Sequence, residues 1–153
     1  MWEAFQRFRA LDSRAQKLFG RTVLLLPWVK LSLRSRGFNG TKGFLEARLR
    51  ARSVPVKPKP AETISTVVHM VRAGGHFGVV RPNCLEESLV LWYLLQGEGV
   101  AASLRIGVRK SGGKFEAHAW VEHQGTTLNQ GEWTQPHYAA FESEFSALAK
   151  EKQ

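Results

Sequence analysis

At 153 residues the chain is long enough to bury a good core and reads as one domain, with or without an extension. Its single cysteine excludes an intrachain disulfide and fits a reducing, cytoplasmic compartment, and no Cys/His cluster has metal-ligand spacing. The net charge of +9 is uneven: residues 1–60 hold 14 Lys/Arg and 3 Asp/Glu (+11), and residues 61–153 hold 8 and 10 (−2). Such a basic N-terminal part suits nucleic acid, anionic lipid or an acidic partner, or is the solvated face of an amphipathic helical region.

In chain order, Trp2, Phe5, Phe8 and Leu11 recur at spacing three, the pattern of a short amphipathic helix. Arg7, Arg9, Arg14 and Lys17 interrupt the apolar residues, so no signal-peptide pattern is present. Ser13-Arg14-Ala15-Gln16 reads as a capping box that starts a helix toward Leu26. Pro27 suits the first turn of a further helix through about Arg34, which Gly37 can end, and a short helix follows over 43–51. The run Val23 to Val29 is the longest apolar stretch, contains Pro27 and is far too short to span a bilayer. Pro55, Pro58 and Pro60 make residues 53–60 a stiff, extended linker. The expected organisation is therefore a basic helical region over 1–52, a linker over 53–60 and a main domain over 61–153.

Residues 61–73 read as a helix with Ile64, Val67, Val68 and Val71 on one side, ended by Gly74-Gly75. The next helix opens at Asn83-Cys84-Leu85-Glu86, where Asn83 and Glu86 form a capping box, and it runs to about Gln96 with Leu85, Leu89, Trp92 and Leu95 inward. Cys84 thus occupies a first helical turn, where unpaired N–H groups and the macrodipole favour thiolate, the reactive species. The plain alternative is a small buried hydrophobe. A strand follows at about 101–109, with Leu104, Ile106 and Val108 on one face, and Ser111-Gly112-Gly113 turns it back.

The returning strand, 115–122, places Glu116, His118, Trp120 and Glu122 on one face and Phe115, Ala117, Ala119 and Val121 on the other. Gln124-Gly125 is a hairpin turn leading into 126–130. A strand fixes an imidazole well, which singles out His118 over His69, His76, His123 and His137. Its alternative is a structural histidine with satisfied hydrogen bonds. Trp92 and Trp120 read as packing residues, Glu122 as exposed or ion-paired, and the segment from about 138 as a final helix. Helices followed by an antiparallel meander give an α+β layout with a helix against a sheet.

Asn83-Cys84-Leu85 with Ser88-Leu89, then Gly99 to Val108, then Phe115-Glu116-Ala117-His118-Ala119-Trp120-Val121-Glu122 closely resembles the lasso peptide biosynthesis B2 proteins. These match the C-terminal domain of the microcin J25 processing protein and belong to the transglutaminase-like superfamily. The likeness spans roughly 61–131, with a weaker one in the N-terminal helices. It implies a transglutaminase/papain-like cysteine peptidase core, a nucleophile helix packed on an antiparallel sheet, behind an N-terminal helical region. It also implies that Cys84 is the nucleophile and His118 its general base, acting to remove the leader from a ribosomally made precursor peptide. The implied partners are that precursor, a separate leader-recognition protein and a macrolactam-forming cyclase. No metal or organic cofactor is implied.

In one respect the sequence departs from the family. The third catalytic member there is usually an Asp on the strand after the histidine strand, and this chain has one Asp in total, Asp12. The family position falls at Gln130. A two-residue turn at Gln124-Gly125 would set 118 opposite 131, putting Asn129 on the His118 face, whereas an odd-length loop with a bulge favours Gln130. Glu132 is a further candidate in a shifted register. Either amide oxygen can accept an imidazole N–H, as Asn does in papain-like enzymes. The same residues also serve a thiol acyltransferase, or a non-catalytic module that binds a precursor peptide. A nucleic-acid binder rests only on the basic N-terminal part, with no recognisable motif.

Overall fold

The computed structural model describes residues 12–111, 113–129 and 139–141. Three helical elements, α1 (Ser13–Arg52), α2 (Ala61–Phe77) and α3 (Cys84–Gly97), precede the strands β1 (Ser103–Ser111), β2 (Lys114–His123), β3 (Thr126–Thr127) and β4 (Ala139–Phe141). The strands form one antiparallel sheet in the order β3-β2-β1-β4. This is the expected α+β layout with an N-terminal helical region. The expected helix over residues 2–11 lies outside the described residues.

α1 is a helical hairpin. Gly37 adopts φ 69°, ψ −176°, left-handed space that glycine enters without penalty, and there the first arm ends, as its sequence suggests. The second arm runs back alongside: the Thr41 hydroxyl lies 3.0 Å from that of Ser32, and the Trp28 and Phe44 rings are 5.1 Å apart. Two details correct the sequence reading. The N-cap is Asp12, whose Oδ1 accepts the Ala15 N–H at 2.7 Å, rather than Ser13. Pro27 lies inside the first arm instead of starting a new helix. Proline removes one helical hydrogen bond, but Leu26 and Val29 on either side are fully buried, and that packing holds the arm continuous.

The Gly74-Gly75 pair does not end α2, which continues to Phe77. A Cβ built on Gly74 would lie 2.4 Å from Thr22 Cγ2, and one on Gly75 3.0 Å from Pro82 Cγ. The glycines are there to let α2 close onto α1 and onto the chain leading into α3. On the same face of α2, Val67, Val68 and Val71 are buried as expected.

α3 is the centre of the molecule. Four inward residues are expected from its sequence, yet Ser88 and every residue from Leu89 to Leu95 are buried. α1 and α2 enclose it together with the sheet, so no face is left for solvent. One continuous core joins Leu18, Leu26, Val29 and Leu45 of α1 to Val67 and Val71 of α2, Leu91 and Leu95 of α3, and Val121 of β2. Residues 53–60 therefore do not divide two cores. This extended segment lies against the end of α3, where the Lys57 N–H donates to the Gly99 carbonyl at 3.1 Å, and Arg14 pairs with Glu98 at 2.5 Å beside it.

In the sheet, Leu104, Ile106 and Val108 stand opposite Val121, Ala119 and Ala117. The hairpin at Gln124-Gly125 is a two-residue turn with φ 49° and 77°, pairing His123 with Thr126. Residues 139–141, expected to be helical, form a strand on the other edge of β1, where Ile106, Gly107 and Val108 offer hydrogen bonds that outweigh the helical preference of alanine. The remainder of that expected helix lies outside the described residues.

The α1–α2 contact gives a test. Overpacking costs about 1–3 kcal/mol, against about 1 kcal/mol that alanine gains over glycine within a helix. Gly74→Ala should therefore lower the midpoint of urea unfolding, and Thr22→Ser in the same chain should recover part of the loss. A midpoint that rises with Gly74→Ala would show the contact is slack.

Candidate active site

Asn83 and Glu86 form the full capping box: the Glu86 N–H donates to Asn83 Oδ1 at 2.9 Å, and the Asn83 N–H donates to Glu86 Oε2 at 3.0 Å. Glu86 is buried, and Lys30 of α1 faces it, with Nζ 3.6 Å from Oε2 and 3.3 Å from the Arg81 carbonyl. The N-terminus of α3 is thus held by its own cap and by the first arm of α1. Cys84 is the first residue of this helix and is half-buried. Among the described residues nothing accepts the backbone N–H groups of Cys84 and Leu85. Two amide donors at the positive end of a helix therefore stand beside the thiol, a donor set suited to an oxyanion.

α3 meets β2 through Ser88. Its hydroxyl donates to the Ala119 carbonyl at 3.0 Å and accepts from Asn129 Nδ2 at 2.8 Å, while Asn129 Oδ1 accepts the Val121 N–H at 2.9 Å. The Val121 carbonyl accepts from the Leu128 N–H on the same side. Peptide groups two residues apart along a strand point to the same side, so the carbonyls of Ala119 and Val121 both line the edge of β2 away from β1. α3 meets that edge at Ala119 through Ser88.

The direction of α3 follows from its ends. Gln96 Nε2 donates to the Ala102 carbonyl at 2.9 Å, next to Ser103, which pairs with Glu122. The C-terminal end is therefore level with residue 122 and Ser88 with residue 119. Cys84, one turn beyond Ser88 and about 6 Å further along the axis, lies toward the His118 end of the strand.

His118 has its own support. It shares a face with Trp120 and Glu122, opposite to the buried Ala119 and Val121, and its ring stacks on Trp120 with centroids 6.3 Å apart and planes 20° from parallel. Trp120 Nε1 donates to Glu122 Oε1 at 2.7 Å, and Arg105 Nε donates to Glu122 Oε2 at 3.2 Å. Glu122 is ion-paired, as one of its sequence readings held, and it anchors the tryptophan against which the imidazole rests. The rival histidines among the described residues have other contacts. His69 Nδ1 donates to the Ser65 carbonyl within α2, His123 Nδ1 donates to the Ala101 carbonyl, and His76 packs edge-on against Phe77.

Of the third-member candidates, Asn129 has its amide oxygen on the Val121 N–H and its amide nitrogen on Ser88. The two-residue turn that would carry it to the His118 face is present, but the ladder stops at Thr127 and residues 128–129 bend inward to α3. Gln130, Glu132 and His137 lie outside the described residues. Sequence reasoning missed the clamp, although one signal was there: Ser88 is the single serine or threonine of α3, next to the apolar run Leu89-Val90-Leu91-Trp92 and four residues after the cysteine. Among the described residues no group of three or more His, Cys, Asp or Glu could hold a metal ion, and no helix is long and apolar enough to cross a membrane.

A family profile described as the transglutaminase-like superfamily matches residues 26–143. The chain belongs to this superfamily, and the match starts within α1, so it takes in part of the helical hairpin as well as the α3–β2 unit. No curated protein and no solved structure matches the chain significantly.

Glu87, one turn from Cys84, has its pKa raised by burial, an effect that nearby Arg72 partly offsets. The folded chain thus binds this proton more tightly than the unfolded chain does. Its contribution to stability is full below the ordinary glutamate value and is lost as pH rises through the higher folded value. Glu87→Gln should therefore be more stable than the parent at neutral pH, with the difference in unfolding midpoint vanishing toward acid pH. A variant less stable at neutral pH would show that the carboxylate has a favourable partner.

Proposed function

We propose that the chain is a cysteine peptidase of the transglutaminase-like type, with Cys84 as nucleophile and His118 as general base, that removes the leader from a ribosomally made lasso peptide precursor. The observation that carries the peptidase reading is the Ser88–Ala119 hydrogen bond, since Cys84 is one helical turn from its donor and His118 is the residue before its acceptor. The choice of a leader peptide as substrate is supported by the Asn83-Cys84-Leu85 and Ala117–Glu122 blocks of the sequence.

The chemistry runs in two halves. His118 takes the Cys84 proton as Sγ attacks the scissile carbonyl carbon, and the oxyanion is held by the N–H groups at the start of α3. The tetrahedral species collapses as the C–N bond breaks, and His118 gives its proton to the departing amine. Water, deprotonated by His118, then attacks the thioester. The products are the leader carboxylate, the free thiol and a core peptide with a new amino terminus, ready for a cyclase to close. Gln130 would orient the imidazole through its amide oxygen, since the Asn129 amide is taken up by the Val121 N–H and Ser88. An amide stabilises imidazolium less than a carboxylate does, so turnover should be slow for a peptidase of this kind.

A second reading, a module that holds a precursor without cutting it, is favoured by one observation: the sole aspartate, Asp12, caps α1 and leaves none to orient His118. Transfer of the acyl group to an amine instead of water would use the same acylation step.

The test is mass spectrometry of a lasso precursor incubated with the chain and a leader-recognition protein in ¹⁸O water. The expected result is a single cut with one ¹⁸O in the leader carboxylate, lost in Cys84→Ala and reduced by about 10²-fold or more in His118→Ala. Intact precursor that nevertheless co-elutes with the chain would favour the holding module, and leader joined to an added amine would favour acyl transfer.

A further inference from the structure

A cavity of about 450 Å³ opens between the two arms of α1, where Tyr93 of α3 contributes from beneath. Its walls combine the aromatic rings of Trp28 and Phe44 with three guanidinium groups, Arg21 on the first arm and Arg48 and Arg52 on the second. Arg48 lies over the Phe44 ring, 5.7 Å from its centroid. No carboxylate of the described residues pairs with any of the three arginines. Three like charges around one apolar groove repel each other unless an anion joins them.

We infer that this groove is a binding site for an acidic peptide segment in which carboxylates alternate with apolar side chains. The charges are distributed rather than convergent. Arg48 and Arg52 are one turn apart along one arm, and Arg21 stands on the other. A lone carboxylate headgroup meets one end of such an arrangement, whereas a chain with spaced carboxylates meets both arms and lays its apolar side chains on Trp28, Phe44 and Tyr93. The volume lies within the range of sites that bury a compact ligand. Tyr93 is nine residues along α3 from Cys84, about 13 Å by helical rise, so this site is separate from the thiol and does not depend on Cys84 being a nucleophile.

Fluorescence anisotropy tests it on the full chain, with a fluorescein-labelled heptapeptide of alternating glutamate and leucine. The peptide should bind saturably, and more weakly once salt shortens the Debye length below about 10 Å. Binding should be unchanged in Cys84→Ser. In the triple variant Arg21→Gln, Arg48→Gln, Arg52→Gln it should fall by at least about tenfold, with an unaltered circular dichroism spectrum. Arg48→Gln with Arg52→Gln alone, both exposed, should show a partial loss if the triple variant misfolds. Equal binding of the lysine-for-glutamate peptide would overturn the proposal. So would binding of laurate but not of the peptide, or a self-association of the chain that the arginine variants abolish while the peptide fails to bind.

Discussion

The hydrogen bond from Ser88 to the Ala119 carbonyl is the constraint on which the arrangement of the site depends. α3 is buried from Ser88 to Leu95, where apolar packing holds it in the core and the Ser88 hydroxyl adds a directional contact to the strand. Ser88 has no solvent exposure, and a buried hydroxyl left without partners costs about 1–3 kcal/mol. That cost selects the one position in which the hydroxyl meets Ala119 and Asn129 together. Asn129 extends the restraint: its amide oxygen replaces a backbone carbonyl on Val121, so the segment after β3, the edge of β2 and α3 are tied at one point. The tie joins α3 one turn after Cys84 to β2 one residue after His118.

The N-terminal helices bear on the same point from behind. Lys30 places a positive charge beside the buried Glu86 that caps α3, and Thr22 admits α2 through the missing side chain of Gly74. A basic N-terminal part need not be a nucleic-acid surface. Some of its charge serves the fold: Lys30 faces Glu86, Arg14 meets Glu98, Lys42 pairs with Glu46 and lies over Trp92. Arg21, Arg48 and Arg52 are spent on none of these contacts, and they gather around a groove.

Much of this was legible in the sequence because it is local. The Asn83–Glu86 capping box, the Gln124-Gly125 turn, the alternation along β2 and the break at Gly37 each depend on a few neighbouring residues, and all are present. What sequence reasoning misplaced depends on residues far apart. Pro27 and Gly74 are breakers by propensity, yet Leu26 and Val29 hold the first across a core, and Thr22 gives the second a reason to be glycine. Ala139–Phe141 became a strand because β1 had an edge to fill. Ser88 and Asn129 carried no motif of their own, since a hydroxyl and an amide acquire their roles only when three elements converge. The likeness to the transglutaminase-like superfamily was readable from two blocks, Asn83-Cys84-Leu85 and Ala117–Glu122, and the family match agrees with it.

The central claim is that Cys84 and His118 act as a pair, and the chain's single thiol allows this to be tested without a substrate. The decisive measurement is the rate of Cys84 alkylation by iodoacetamide at about pH 6, where an ordinary thiol with a pKa of about 8.5 is almost entirely protonated. A coupled pair predicts that the parent reacts at least about tenfold faster than His118→Ala, and faster than the parent unfolded in urea. Equal rates in all three would contradict the pairing and leave Cys84 as a packing residue at the start of a buried helix.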